Sequence, residues 1–75
     1  MPHFTGTAEL NAMIERVAPS VLELLADGVP RTKAAIVAAL AGRHAADDVG
    51  LTLVRLAVTE QAVETGGRYT LPEAA

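Results

Sequence analysis

A small, mostly helical α+β domain is the fold class that this sequence predicts, and three observations support it. In three separate stretches between residues 8 and 59, apolar residues recur every three or four positions, which is the spacing of one helix face. Thr32 and the pair Asp47-Asp48 are residues that favour helix starts. Gly66-Gly67 lies between two short runs of strand-forming residues, which predicts a C-terminal β-hairpin.

The composition narrows the class of protein. The 75 residues suffice for one domain, and 51 % of them are hydrophobic, enough for a packed interior. Cysteine is absent, which excludes a disulfide-held secreted scaffold. The first residues lack the basic and apolar regions of a signal peptide, and no apolar run is long enough to cross a membrane. We therefore expect a cytoplasmic protein without a membrane partner.

The first helical stretch contains a proline that leaves two interpretations open. Thr7 is the expected N-cap, and Gly28 is the expected C-terminal stop. Pro19 between them predicts either one kinked helix or two helices, and two helices are preferred. The apolar stripe of this stretch comprises Leu10, Ile14, Val17, Val21 and Leu24. Residues 1–6 are predicted to be a flexible lead-in, residues 7–72 a single domain and residues 73–75 a tail.

Two further helices and the hairpin follow. Thr32 is expected to cap a helix over residues 33–41, and the next helix is expected to begin near Asp47 and end near Thr59. The residues expected to face inward are Ile36, Val37, Leu40, Val49, Leu53 and Leu56. The residues expected to face solvent on the last helix are Asp48, Thr52, Arg55 and Thr59. Residues 62–64 and 69–71 are the expected strands, and Pro72 ends their pairing.

This order of elements resembles the winged helix-turn-helix superfamily. Residues 18–72 would cover the usual core of that superfamily. Three stretches carry the resemblance: a capped second helix in RTKAAIVAALAG, a third helix in DDVGLTLVRLAV and a wing hairpin in AVETGGRYTL. The resemblance implies an N-terminal helix, a three-helix core and a C-terminal wing. It also implies that the third helix enters the major groove of DNA, while the second helix and the wing hold phosphates.

A set of DNA-contacting residues follows from the resemblance. They lie at the start of the second helix, in the turn, on the third helix and at the wing tip: Arg31, Lys33, Arg43, His44, Thr52, Arg55 and Arg68. The hypothesis that we prefer at this point is a dimeric, DNA-binding transcriptional regulator that needs no cofactor.

A protein-interaction module that does not bind DNA is the alternative hypothesis. The net charge is −3, and Asp47 and Asp48 stand at the helix end that would approach phosphates. The third helix also carries aliphatic residues beside its expected polar stripe, and exposed aliphatic patches usually mark contacts with protein. These candidate partner-binding residues are Leu51, Val54 and Val58.

The N-terminal helix is the expected dimer contact. Its face is too apolar to remain in water, and a short helix needs a surface to pack on. The residues of this face are Leu10, Met13, Ile14 and Val17. Docking of the same helix on its own core is the alternative to dimerisation.

No catalytic or metal site is predicted. Ser20 is the only serine, and it follows Pro19 where a helix-start role is expected. His3 lies in the lead-in, and His44 lies in a turn beside Arg43, where a phosphate contact or plain exposure is expected rather than catalysis. A structural zinc site needs cysteine or clustered histidine. We therefore expect a protein that is not an enzyme and holds no metal.

Overall fold

The computed structural model describes residues 5–72, with side chains from residue 8 onward. The described residues form three helices and a three-stranded antiparallel sheet, which confirms the α+β class and is compatible with a winged-helix arrangement. The elements are α1 (Thr5–Leu25), β1 (Arg31–Thr32), α2 (Lys33–Leu40), α3 (Ala46–Val58), β2 (Val63–Thr65) and β3 (Arg68–Thr70). Residues 1–4 of the predicted lead-in and the predicted tail, 73–75, lie outside the described residues.

The preferred interpretation of two N-terminal helices is wrong, because α1 continues through Pro19 as one helix. A proline inside a helix leaves the carbonyl four residues earlier without its N–H partner. Here Pro19 and Glu15 are both exposed, so water can bond that carbonyl. Buried residues before and after the proline lie on one stripe, and their packing outweighs the local cost. The helix also includes residues 5–7, so the lead-in is shorter than predicted and Thr7 is not the cap.

The predicted helix boundaries around α2 are confirmed by specific contacts. Gly28, just beyond the end of α1, has a φ of 78°, and its N–H donates to the Leu25 carbonyl at 3.1 Å. The Thr32 hydroxyl accepts the Ala35 N–H at 3.1 Å and caps α2. The His44 N–H donates to the Leu40 carbonyl at 2.8 Å and closes the turn toward α3.

The hairpin is confirmed within one residue of its predicted position. Its tip is Gly66-Gly67, with φ values of 59° and 83°, the conformation that a two-residue hairpin turn requires. A third strand was not anticipated from the sequence: β1 pairs with β3, which places Arg31 opposite Tyr69 and Thr32 opposite Arg68. The strand order is therefore β1-β3-β2, and the hairpin is bound to the start of α2.

The core lies between the three helices, with α3 packed against both α1 and α2. Its buried hydrophobic members are Val17, Val21, Leu25, Ile36, Leu40, Val49, Leu53, Leu56 and Ala62. The residues predicted to face inward on α2 and α3 are buried, except Val37, which is half-buried at the edge. On α1, Leu25 is fully buried, whereas Leu24 is only partly so.

The predicted solvent position of Thr52 is wrong, because its side chain is 0 % exposed. Its hydroxyl donates to the Asp48 carbonyl one turn earlier, at 2.8 Å, so the polar group is satisfied inside the protein. The same oxygen lies 3.9 Å from the sulfur of Met13 on α1. Val49, Leu53 and Leu56 face inward as predicted, so the buried side of α3 is wider than predicted and includes Thr52. Thr52 is therefore not available to contact DNA.

We expect Thr52→Ala to lower the free energy of unfolding by about 1–2 kcal/mol, because it removes a buried methyl group and a satisfied hydroxyl. Thr52→Val keeps the volume and should cost less. Thr59→Ala is the matched control, since the Thr59 hydroxyl makes the same bond to the Arg55 carbonyl at 2.8 Å on an exposed residue. Its cost should stay within about 0.5 kcal/mol. Equal effects of the two alanine substitutions in denaturant melts would put Thr52 at the surface.

Candidate functional site

The outward face of α3 is aliphatic. The buried residues of this helix are Val49, Thr52, Leu53 and Leu56. Successive residues of a helix point about 100° apart, so the side opposite these four consists of positions 47, 51, 54 and 58. Leu51, Val54 and Val58 are 47 %, 59 % and 75 % exposed. We call these three side chains the α3 outer stripe.

The α3 outer stripe is a continuous surface rather than scattered residues. Its members are spaced by three and four positions, so they stand above one another along about 10 Å of helix. Asp47 lies one turn before Leu51 and is the charged residue at the N-terminal end of the face. The exposure of these aliphatic residues, anticipated from the sequence, is confirmed. A row of this kind has apolar area to bury against a partner.

A groove between α2 and α3 borders the stripe near the N-terminal end of α3. Its volume is 480 Å³, and it is lined by Lys33, Val37, Ala46, Asp47, Gly50, Leu51 and Val54. Lys33 lies across Gly50, where a Cβ would stand 3.2 Å from the lysine Cε. The absence of a side chain at Gly50 therefore lets the lysine lie close to the helix. The groove combines an aliphatic wall with one cation and one carboxylate at its rim.

A second concavity lies beside the C-terminal end of α3. It has a volume of 460 Å³ and is lined by Ala57, Glu60, Ala62, Val63, Glu64 and Pro72. Both glutamates are exposed, and one Glu64 carboxylate oxygen accepts the Gly67 N–H at 2.7 Å. The flank of α3 is therefore acidic at its C-terminal end, whereas the basic Lys33 stands near its N-terminal end.

Arg31, predicted to contact DNA, is paired within the protein. Its two terminal nitrogens donate to the two carboxylate oxygens of Asp27 at 2.8 and 2.7 Å, and one of them also donates to the Leu24 carbonyl at 2.9 Å. The hydrogen bonds from Arg31 lower the pKa of Asp27 from 3.8 to about 2, and the Val29 N–H contributes to the same shift. This pair joins the end of α1 to β1.

Two other predicted contacts, Arg55 and His44, are also directed at α1. The Arg55 guanidinium donates to the Asn11 side-chain oxygen at 3.1 Å. The His44 ring nitrogen Nε2 lies 3.1 Å from the Ser20 hydroxyl, a contact that the sequence did not reveal because 24 residues separate the two. Arg43 borders a concavity that also contains Glu23 and Asp27.

The structure brings two of the predicted DNA contacts together. The pairing of Thr32 with Arg68 places the wing arginine beside the start of α2, where Lys33 is the next residue. Both side chains are exposed. Arg43 is at the opposite end of α2, and Thr52 is buried, so the seven predicted residues do not form a single surface.

The predicted dimer face of α1 is largely covered by its own chain. Ile14 and Val17 are buried against the core, and Leu10 and Met13 are half-buried. The alternative, in which this helix docks on its own core, describes the structure. Ile14 and Val17 are therefore not available for the predicted dimer contact. The physical reason is that α3 offers this helix an intramolecular partner surface.

Among residues 5–72, no three side chains of the metal-binding types gather in one place. None of the described helices is both long and apolar enough to cross a bilayer.

No protein-family model, curated protein or solved structure significantly matches this chain.

We expect the Asp27–Arg31 pair to make the free energy of unfolding depend on pH in the acidic range. A carboxyl whose pKa falls on folding stabilises the protein above its unfolded pKa, and this contribution is lost as pH falls toward 2. Asp27→Asn should therefore be less stable than the unaltered chain near pH 6, and the difference should shrink between pH 4 and pH 2. Melts across this range provide the measurement. In an Arg31→Gln background most of this pH dependence should vanish, and its persistence there would contradict the assigned cause.

Proposed function

We propose that this chain is a winged-helix domain that acts as a protein-interaction module, with the α3 outer stripe as its binding surface. One observation supports this proposal above all: the side of α3 opposite the core is formed by Leu51, Val54 and Val58, which are 47 %, 59 % and 75 % exposed. This is the helix that DNA-binding members of the resembling superfamily place in the major groove. Here its outward surface suits apolar contact.

The charges near the stripe favour protein over nucleic acid. Base readout relies on arginine, lysine, asparagine or glutamine, and the stripe contains none of them. The helix's own Arg55 is bonded to Asn11 beside it. Asp47 and Asp48 in the first turn of α3 would meet phosphates with like charge. The net charge of −3 adds to this repulsion.

The partner that fits the stripe is a protein with an apolar surface of similar length. Burial of an aliphatic side chain from full exposure contributes roughly 1.5–3 kcal/mol, and these three are already partly covered. The stripe alone therefore supports modest affinity, and the neighbouring groove supplies further contact area. An amphipathic helix lying along α3 would use both, because its apolar residues recur at the same spacing.

A photo-cross-linking residue placed at Val54 tests this proposal in the cell that makes the protein. We expect discrete protein adducts from this position, because its side chain would lie inside the interface. The matched control places the same residue at Ala38, which is exposed on α2 away from the groove. Adding Leu51→Glu to the Val54 variant should remove the adducts, since a charge would then have to be buried.

The outcome is decided by the contrast between the two positions. Adducts at position 54 that disappear with Leu51→Glu support the interaction surface. The same adducts from both positions, or none from position 54, would contradict it. Thermal melts of each variant check that the fold is intact, which we expect because every altered side chain is exposed.

DNA binding remains a second candidate function, and one observation favours it. Lys33 and Arg68 are exposed and adjacent through the β1–β3 pairing, at the start of α2 and at the hairpin. These are the elements that hold phosphates in the resembling superfamily. Two cations support only weak, sequence-independent contact, because such affinity depends on the number of phosphates neutralised.

Under this second function, random duplex DNA should bind weakly, with a log–log salt slope of no more than about 2 per protomer. Lys33→Ala and Arg68→Ala should each weaken binding to all sequences alike, as loss of a phosphate contact does. Arg16→Ala, an exposed change on α1, is the control and should have no effect. A fluorescence titration at low salt provides the measurement. Absence of binding there, or equal effects of all three variants, would eliminate this candidate.

A further inference from the structure

We propose that the α3 outer stripe binds a second copy of this chain, in a two-fold symmetric pair with the α3 helices antiparallel. The inference rests on the proposed interaction function and names the partner of the same surface. Symmetric dimers are the commonest oligomers, and they require a patch that complements itself. The stripe and the charges beside it meet that requirement.

The aliphatic residues complement themselves when the two helices run in opposite directions. Val54 lies near the middle of the stripe, with Leu51 three residues before it and Val58 four residues after it. In the antiparallel pair, Val54 stands near the two-fold axis and faces its own copy. Leu51 then faces Val58 of the other copy, so a larger side chain meets a smaller one at both ends. The two stripes cover each other along about 10 Å.

The charges beside the stripe match in the same arrangement. Lys33 lies over Gly50, and the acidic concavity includes Ala57; positions 50 and 57 are on the same side of α3. A two-fold axis perpendicular to both helices reverses their direction and keeps this flank aligned. Lys33 of each copy therefore approaches the end where Glu60 and Glu64 of the other copy lie. The symmetry forms this opposite-charge contact twice.

The parallel arrangement lacks this complementarity. With the axis along the helices, the flank carrying Lys33 and the glutamates faces the opposite flank of the copy, and the two ends do not exchange. Lys33 of one copy then has no acidic end of the other beside it. Charge therefore selects the antiparallel pair, which is how polar groups at the edge of an apolar patch determine orientation.

Sedimentation velocity across concentrations from micromolar to millimolar tests the pair. We expect a reversible monomer–dimer equilibrium with a high dissociation constant, because only three aliphatic side chains per copy form the centre of the interface. Val54→Glu should raise the dissociation constant at least tenfold, since it puts two like charges at the axis. Ala38→Glu, the same change on the far side of α2, should leave the constant within twofold.

A charge exchange tests the orientation. Lys33→Glu and Glu60→Lys should each raise the dissociation constant several-fold, because each puts like charges together at both ends of the interface. The double variant should recover most of the original affinity, since it re-forms the two contacts with their signs exchanged. No recovery in the double variant would overturn the antiparallel arrangement.

The possible outcomes separate this inference from the proposed function. A monomer at every concentration would overturn the pair, whereas position-54 adducts with a different protein would leave the interaction module standing. A dimer that survives Val54→Glu would show that the copies meet elsewhere. If position 54 also yields no adduct, the interaction function fails together with the pair.

Discussion

The packing of α1 against α3 is the interaction on which the rest of this structure depends. One apolar stripe of α1 is buried both before and after Pro19, at Val17 and Val21. That stripe needs an apolar surface, and α3 supplies it with the side containing Leu53. The contact fixes the rotation of α3 about its axis. The same rotation decides which side chains the helix shows to solvent.

The rotation also determines what Arg55 can contact, and the other basic residues have positions of their own. Arg55 lies beside α1, close enough to bond Asn11, and does not stand on the outward face. Arg31 is bonded to Asp27 and to a carbonyl at the end of α1. Both of these arginines, which belong to the set suggested by the resemblance, thus have intramolecular partners. The exposed pair, Lys33 and Arg68, is separated from Arg43 by the length of α2.

Elements with local causes were predictable from the sequence, and so was most of the buried side of α3, whereas the burial of Thr52 was not. The Thr32 cap and the Gly66-Gly67 turn depend on a few neighbouring residues, and both are present. The aliphatic residues of α3 surround most of its circumference, so its periodicity permits more than one buried side. Thr52 was predicted to face solvent because it is polar, and the sequence does not show that its hydroxyl bonds a carbonyl of its own helix and can be buried. The residues of the α3 outer stripe were identified from the sequence as a candidate surface. That they lie directly opposite the core could be seen only from the tertiary contacts.

The short strands have a consequence for how this domain can associate. The two edge strands of the sheet, β1 and β2, contain two and three residues, and Pro30 immediately precedes β1. An edge this short offers an incoming chain few backbone N–H and C=O groups, and a proline beside it removes one donor more. Strand addition is therefore disfavoured as a mode of assembly. Under the proposed interaction function, recognition relies on side-chain shape along a helix, which discriminates between partners more strictly than a backbone ladder that any extended segment can join.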